Sequence, residues 1–171
     1  QGLDAVIVTP TGVIGPNDHL ESAMGLTLSE MLRDRLPVVP RGGFNWVDVR
    51  DVCAAAVEAA ERGKTGERYI VSGEYLMVRD FGPLLQEASG RPVKLYEVPM
   101  WVAYLGLPAI AVVRPFVPGL VHYRAAAMHA LKCHQIVSTE KARRELNHRP
   151  RPMIETIRDT HDWLESSGRL K

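Results

Sequence analysis

Six histidines, five tyrosines, two cysteines and the aspartate pair Asp48 and Asp51 are the side chains considered first for chemistry. A carbonyl reduction needs a proton donor tuned by a basic partner one helical turn away. Tyr69, Tyr75, Tyr96, Tyr104 and Tyr123 lead, four positions on, to Gly73, Arg79, Met100, Pro108 and Ala127, so no tyrosine has a lysine at that spacing. His129 and His134 are five apart, which takes them off one helical face for metal binding. Neither a Gly-x-Ser-x-Gly elbow nor a His-Glu-x-x-His pair occurs. Asp48-x-x-Asp51 could act as a carboxylate pair, but helix capping accounts for it more simply. Arg143-Arg144 reads as a solvated face.

A dinucleotide is gripped by closely spaced glycines between a strand and a helix N-terminus. Gly12 and Gly15 have the wrong spacing, and Gly42-Gly43 precedes an aromatic pair. The 171 residues are therefore expected neither to hold a dinucleotide fully nor to transfer hydride by themselves. Cys53 and Cys133 belong to no Cys-x-x-Cys or Cys/His cluster and read as buried free thiols in a reducing compartment.

Composition bounds the rest. Hydrophobic residues make up 46%, which is globular, and the net charge of +1 gives no electrostatic footprint for nucleic acid. Gln1 to Thr9 lacks the basic head and cleavage site of a secretory leader, so a cytoplasmic location is expected. Val98 to Val113 is uncharged but interrupted by Pro99 and Pro108. A spanning helix needs about 20 residues. No transmembrane segment is expected; the stretch reads as a buried or cleft-lining helix, with shallow membrane contact as the alternative.

The elements alternate at short intervals, which predicts an α/β arrangement. Asp4–Val8 suits a strand buried on both faces. Leu20, Met24, Leu28, Met31 and Leu32 share a helical face, and Arg35-Leu36-Pro37 stops that helix. Residues 37–40 form a short extended piece. Asp48 caps a helix whose buried stripe is Val52, Ala55, Ala56 and Ala59, ending at Gly63. Residues 67–72 form a strand, 79–89 a helix stopped by Gly90, and 92–97 another short strand. Helical segments follow at about 99–112 and 118–132. Ser138 or Thr139 caps a short helix. Pro152 opens the last one, with Ile154, Ile157, His161 and Leu164 on one face.

Four blocks in order carry a family resemblance: TPTGVIGP (9–16), FNWVDVRDV (44–52), GERYIVSGE (66–74), and STEKARREL with RPRP (149–152) and TIRDTHDWL. Together they resemble the C-terminal half of an extended short-chain dehydrogenase/reductase, of the NAD-dependent epimerase/dehydratase kind. The nearest flavours are dihydroflavonol-reductase-like and hopanoid-associated sugar-epimerase-like proteins. The resemblance implies the C-terminal portion of a Rossmann-type α/β fold across residues 1–171: the last strands of the parallel sheet plus a small mixed α/β substrate-binding subdomain. It implies NAD or NADP as cofactor of the intact protein and a small-molecule substrate with a carbinol or ketone carbon. Pro10, Thr11, Gly12 and Val13 would face the nicotinamide. Pro16, Asn45 and Trp46 would lie on the substrate side. Unpaired strand edges make a homo-oligomer possible.

Two departures from the family pattern matter. Leu146-Asn147-His148 stands where the family has Leu-Gly-Tyr, which bears on a turn needing positive φ. Phe44-Asn45 stands where many sugar-nucleotide epimerases have Arg-Asp, and the Arg clamps a diphosphate. The second departure favours a less charged substrate. The alternatives are a hydroxysteroid-dehydrogenase-like reductase of an apolar substrate and a non-catalytic, dinucleotide-responsive binding module.

Overall fold

Parallel strand pairs joined through helices organise the chain, giving mixed α/β architecture. The computed structural model describes residues 2–113, 131 and 137–170. The expected helix over 118–132, together with Tyr123, His129, Cys133 and His134, lies outside the described residues, apart from Leu131.

Strand β1 (Ile7–Pro10) runs parallel to β5 (Arg68–Val71), in register from Ile7 opposite Arg68 to Pro10 opposite Val71. One residue later the chain changes partner. Strand β2 (Gly12–Ile14) runs parallel to β4 (Gly43–Asp48), which also pairs antiparallel with β6 (Glu74–Met77). A third pair joins β3 (Val38–Pro40) to β7 (Tyr96–Val98), again parallel. Parallel partners require a crossover between them, and helices supply it here.

Strand β1 corrects the expectation for residues 4–8. It starts only at Ile7, which is 47% exposed, because the described residues cover only the face of Val8 and place no strand along its second edge. Helix α1 (Ala23–Leu32) buries Leu28, Met31 and Leu32 as expected, while Leu20 is exposed. The reason is local. The Asp18 carboxylate accepts from Ser22 N at 2.8 Å, and Ser22 Oγ accepts from Gly25 N at 3.2 Å, so the helix begins beyond Leu20. Strand β6 was not anticipated; Leu76 and Met77 in it are half-buried against β4.

Helix α2 (Val49–Arg62) starts where expected, with the Asp48 carboxylate accepting from Arg50 N at 2.7 Å. Its buried stripe is Asp51, Ala55 and Ala59, spaced by four, and Ala56 is exposed. The face turns by one residue because Asp51 points inward to meet Arg151. The same rotation exposes Cys53, against the expectation of a buried thiol.

Past a 3-10 turn (Val78–Asp80), α3 (Phe81–Ser89) ends at the left-handed Gly90. Helix α4 (Met100–Val113) follows β7 directly. Helix α5 (Glu140–Glu145) is opened by Ser138, whose hydroxyl accepts from Glu140 N at 3.4 Å. Helix α6 (Met153–Ser166) begins just after Pro152 and buries Met153, Thr156, Ile157, Thr160, His161 and Leu164. Asn147 adopts φ 49°, so the turn written with glycine in the family survives with asparagine, which tolerates that region.

The apolar core gathers Trp46, Phe81, Leu28 and Ile157 from four elements. Beside it lies a partly buried ionic cluster. Arg151 donates from N, Nε and Nη2 to Asp51 at 2.8, 3.0 and 2.9 Å. Arg50 grips Asp48 through Nε and Nη2 at 2.9 and 2.7 Å and reaches Asp159 at 2.6 Å. Burial would push the Asp48 carboxyl up, yet the hydrogen bonds from Arg50 hold it below its ordinary value.

Two predictions follow from these ties. Asp51→Ala removes three hydrogen bonds from Arg151, which keeps Glu155 at 3.2 Å and Asp48 at 3.6 Å, and should cost about 2 kcal/mol in urea unfolding. Asp51→Leu combined with Arg151→Met should recover much of that loss; a strictly additive double mutant would mean that the pair is not coupled. The second concerns Glu145, whose carboxyl is held down to about 2 by Arg144 and by the Tyr69 hydroxyl, with Lys64 adding to it. A depressed carboxyl stabilises the fold fully above its ordinary 4.5 and stops doing so as pH falls to about 2. Wild type should therefore exceed Glu145→Gln in stability at neutral pH, with the gap closing between pH 4.5 and 2.

Candidate functional site

The turn Pro10–Val13 occupies the place where two sheets exchange the chain. Pro10 ends β1 level with Val71 at the end of β5. Thr11 N donates to Val71 O at 3.1 Å, extending that ladder by one rung. Gly12 is already opposite Trp46 in the other sheet. A side chain at Gly12 would press against the Trp46 ring, with a Cβ 2.9 Å from the nearest ring carbon, so the close approach requires glycine.

The turn is tied from behind by polar groups. Thr11 Oγ1 donates to Ser72 Oγ at 3.1 Å. The Ser72 carbonyl, also buried, accepts from His148 Nε2 at 2.9 Å. A carbonyl only accepts, so Nε2 carries the proton in this ring. His148 thus anchors the end of β5 from the C-terminal segment.

Beyond β2, Gly15 adopts φ 155°, and a Cβ there would fall 2.7 Å from Val49 Cγ1. The turn thereby reaches the start of α2. A cavity of about 210 Å³ opens at this junction, lined on one side by Val13, Ile14 and Pro16 and on the other by Val49, with Asp18 and Thr160 at its polar edge. Among the described residues lining it there is no lysine or arginine. Its rim is fastened by Arg169, which donates to the carbonyls of Asp18 and His19 at 2.7 Å each.

The structure therefore brings Val13 and Pro16 to one cavity, with Pro10, Thr11 and Gly12 leading into it. It places the other two substrate-side residues elsewhere. Asn45 is buried, and its Oδ1 accepts from Val137 N at 3.3 Å. Trp46 is 2% exposed. Its ring meets Phe44 and Phe81 edge-on, at 5.4 and 5.2 Å between centroids. Trp46 thus backs the turn from inside the core and is not on a surface that a substrate reaches. Ser72 and Thr160 were not singled out in the sequence, and His148 was noted there only as a departure in a turn. The signal for Thr160 was a polar residue on the inward face of α6.

Comparison with known proteins bears on the fold. No family model matches the chain. It is 28% identical over 172 residues to sterol demethylase protein B of Methylococcus capsulatus, covering 99% of this chain and 52% of that protein. It is 30% identical over 178 residues to a putative dihydroflavonol 4-reductase of Synechocystis, covering 100% and 51%. Among solved structures, a nucleoside-diphosphate-sugar epimerase from Pseudomonas aeruginosa superposes with TM-score 0.76 at 23% identity, over 99% of this chain and 51% of that one. A UDP-glucuronic acid 4-epimerase from Bacillus cereus in complex with NAD gives TM-score 0.68 at 16% identity, over 99% and 46%. The last two are likenesses of fold. The chain spans about half the length of the curated relatives it matches. Its relatives and structural neighbours are thus reductase-like and epimerase-like proteins of Rossmann type, as the resemblance implied.

Gly15→Ala should destabilise the chain by about 2 kcal/mol through overlap with Val49 and an unfavourable φ. Thr11→Val, which keeps the shape and removes one hydrogen bond, should cost about 1 kcal/mol. Thermal unfolding of both variants checks the order; a harmless Gly15→Ala would mean that the turn does not approach α2 this closely.

Proposed function

We propose that this chain supplies the nicotinamide-facing turn and the substrate pocket of an NAD(P)-dependent reductase or epimerase acting on a carbinol or ketone carbon. The observation that carries the reading is the common end of parallel strands β1 and β5, from which Pro10–Val13 leads straight into the cavity at Pro16. In doubly wound sheets, ligands lie beyond the carboxyl ends of the strands, where neighbouring strands diverge. Thr11 marks such a divergence, because the chain leaves one sheet there for another.

Each residue then has a definable role. Pro10 fixes the backbone and offers no N–H to compete for the ligand. Thr11 is engaged by Ser72 and holds the turn in place. Gly12 lets the turn pack against Trp46. Val13 and Pro16 form an apolar wall between the two ligands. Asn45 holds the segment at Val137 and so shapes the substrate side indirectly. In this reading the phosphate-binding loop and the proton-transfer group come from outside these 171 residues.

A less charged substrate is favoured over a nucleoside-diphosphate sugar. Phe44 packs edge-on to Trp46, leaving no guanidinium at the position where the resemblance would put a diphosphate clamp. The cavity's described lining is mostly apolar, with Asp18 as its charged group. A carboxylate there repels phosphate and suits a neutral hydroxyl or keto compound. The names of the two relatives, a sterol demethylase component and a dihydroflavonol reductase, point the same way.

Titrating the 171-residue chain with NADH and then NADPH should give no saturable heat, while amide shifts in NMR should appear at Thr11, Gly12 and Val13 at millimolar NADH. Shifts confined to other residues would refute the assignment of the turn. Saturable binding would show a dinucleotide site belonging to the chain itself and favour the dinucleotide-responsive module.

A further inference from the structure

Asp18 stands where two cavities meet. It lines the cavity of about 210 Å³ together with Val13, Pro16 and Val49. It also lines a smaller one of about 70 Å³, shared with Leu26, Trp163 and Arg169. Gly25 belongs to both walls as well.

The Asp18 carboxylate is pinned in place. Both of its oxygens accept from a single N–H, that of Ser22, at 2.9 and 2.8 Å. Oδ2 lies so close to Gly25 that a Cβ on that residue would fall 2.1 Å away. Glycine at this position therefore lets the carboxylate rest on the first turn of α1. One shared N–H leaves most of a carboxylate's acceptor positions, about four in all, open to a ligand. An ionised carboxylate only accepts, so it offers the ligand no proton.

The other polar side chains of the larger cavity are engaged. Thr160 Oγ1 donates its proton to Thr156 O at 2.6 Å. Ser22 Oγ accepts from Gly25 N at 3.2 Å, and Ser22 is exposed to solvent.

The acceptor character of Asp18 separates ligands of equal shape. A hydroxyl has a proton to give it. A keto oxygen is itself only an acceptor and meets the carboxylate lone pair against lone pair. An ammonium group would bring charge, but a cation already stands behind Asp18. Arg169 donates to the Asp18 carbonyl at 2.7 Å and approaches Glu21 to 3.8 Å. That fixed charge offsets the field of the carboxylate while leaving its acceptor positions open.

We infer that Asp18 is the specificity-determining residue of this cavity, accepting a hydrogen bond from a ligand hydroxyl and so preferring an alcohol to the matching ketone or amine. The inference rests on the reading of this cavity as the substrate side.

Cyclohexanol, cyclohexanone and cyclohexylammonium share one ring and differ in the group they offer Asp18. Each is titrated into the 171-residue chain at neutral pH, with the amide shifts of Ile14, Gly15, Gly25 and Val49 followed by NMR. Cyclohexanol should bind about tenfold more tightly than cyclohexanone, and no more weakly than cyclohexylammonium. Asp18→Asn keeps an oxygen for Ser22 N and adds an amide donor, so the alcohol-to-ketone ratio should fall to about one. Thr160→Val, which keeps the shape, should leave the ratio as it is in wild type. Equal affinity for alcohol and ketone in wild type would overturn the inference, and so would an Asp18→Asn ratio that does not move. A ratio lost in Thr160→Val would assign the acceptor to Thr160, tighter ammonium binding would make this a cation site, and absence of shifts at the cavity would leave it without a ligand; each outcome overturns the inference. If Asp18→Asn does not fold, the wild-type ranking and Thr160→Val still decide. Amide shifts with NADH at Thr11–Val13 but no alcohol preference would sink the role of Asp18 alone. Alcohol preference without those NADH shifts would sink the assignment of the cofactor turn and leave the selectivity of Asp18 standing.

Discussion

The pairing of Asp51 with Arg151 ties helix α2 to the C-terminal segment. One hundred residues separate them, and three donors of Arg151 converge on a single carboxylate. Desolvating two charges is costly, and it is offset only where geometry satisfies most of their hydrogen-bonding capacity. Here it does, and Asp48 and Arg50 complete a network that reaches Asp159 on α6. The consequence is positional. Helix α2 cannot rotate about its axis without breaking the pair, so Val49 is held against Gly15 and the end of β2 is fixed in space.

The exchange of sheets at Thr11 depends on that fixity. A strand that leaves one partner for another within a single residue gives up ladder bonds on both sides. Thr11 recovers one through Val71 O and another through its own hydroxyl. Ser72 accepts that hydroxyl bond through its Oγ, and its carbonyl is held in turn by His148 Nε2. The turn is therefore braced from the C-terminal segment, which the sequence places far away. Bracing of this kind fixes the turn, with Val13 packed on Val47, Ala55 and Val71 while also lining the cavity beside Pro16.

Much of this was legible in the residues, and the failures have physical causes. Asp48 as a cap, Gly90 as a stop and Pro152 as an opener act within one turn of helix, so sequence alone reveals them. Ala56 was misplaced because an apolar residue was given precedence over Asp51 for the inward face. Only the partner at Arg151 makes a buried aspartate favourable there, and that partner is distant in sequence. Trp46 was assigned to the substrate by position in a motif; its burial follows from two other aromatics, Phe44 and Phe81, of which Phe81 comes from a different element. Strand β6 escaped because Glu74–Met77 has no turn signal that separates it from β5 beyond Gly73. Exposure of Ile7 could not be read at all, since an apolar run says what a strand prefers to meet and not whether anything meets it.

The same distinction applies to the polar groups at the cavity. Asp18, Ser22 and Thr160 are polar residues at the cavity, yet each already has a local bond: Asp18 to Ser22 N, Ser22 to Gly25 N, and Thr160 Oγ1 to Thr156 O at 2.6 Å. Side chains committed to caps and helix carbonyls contribute little further donor capacity to a ligand. What remains available is a carboxylate edge and an apolar wall, a combination that discriminates by exclusion. Phosphate is disfavoured by charge and loose water by the apolar lining, while a neutral, largely hydrophobic molecule with a single hydroxyl or keto group meets neither penalty. Selectivity in such a pocket comes from its shape, and its shape is set by Gly15, Pro16 and the Arg169 clamp on the rim.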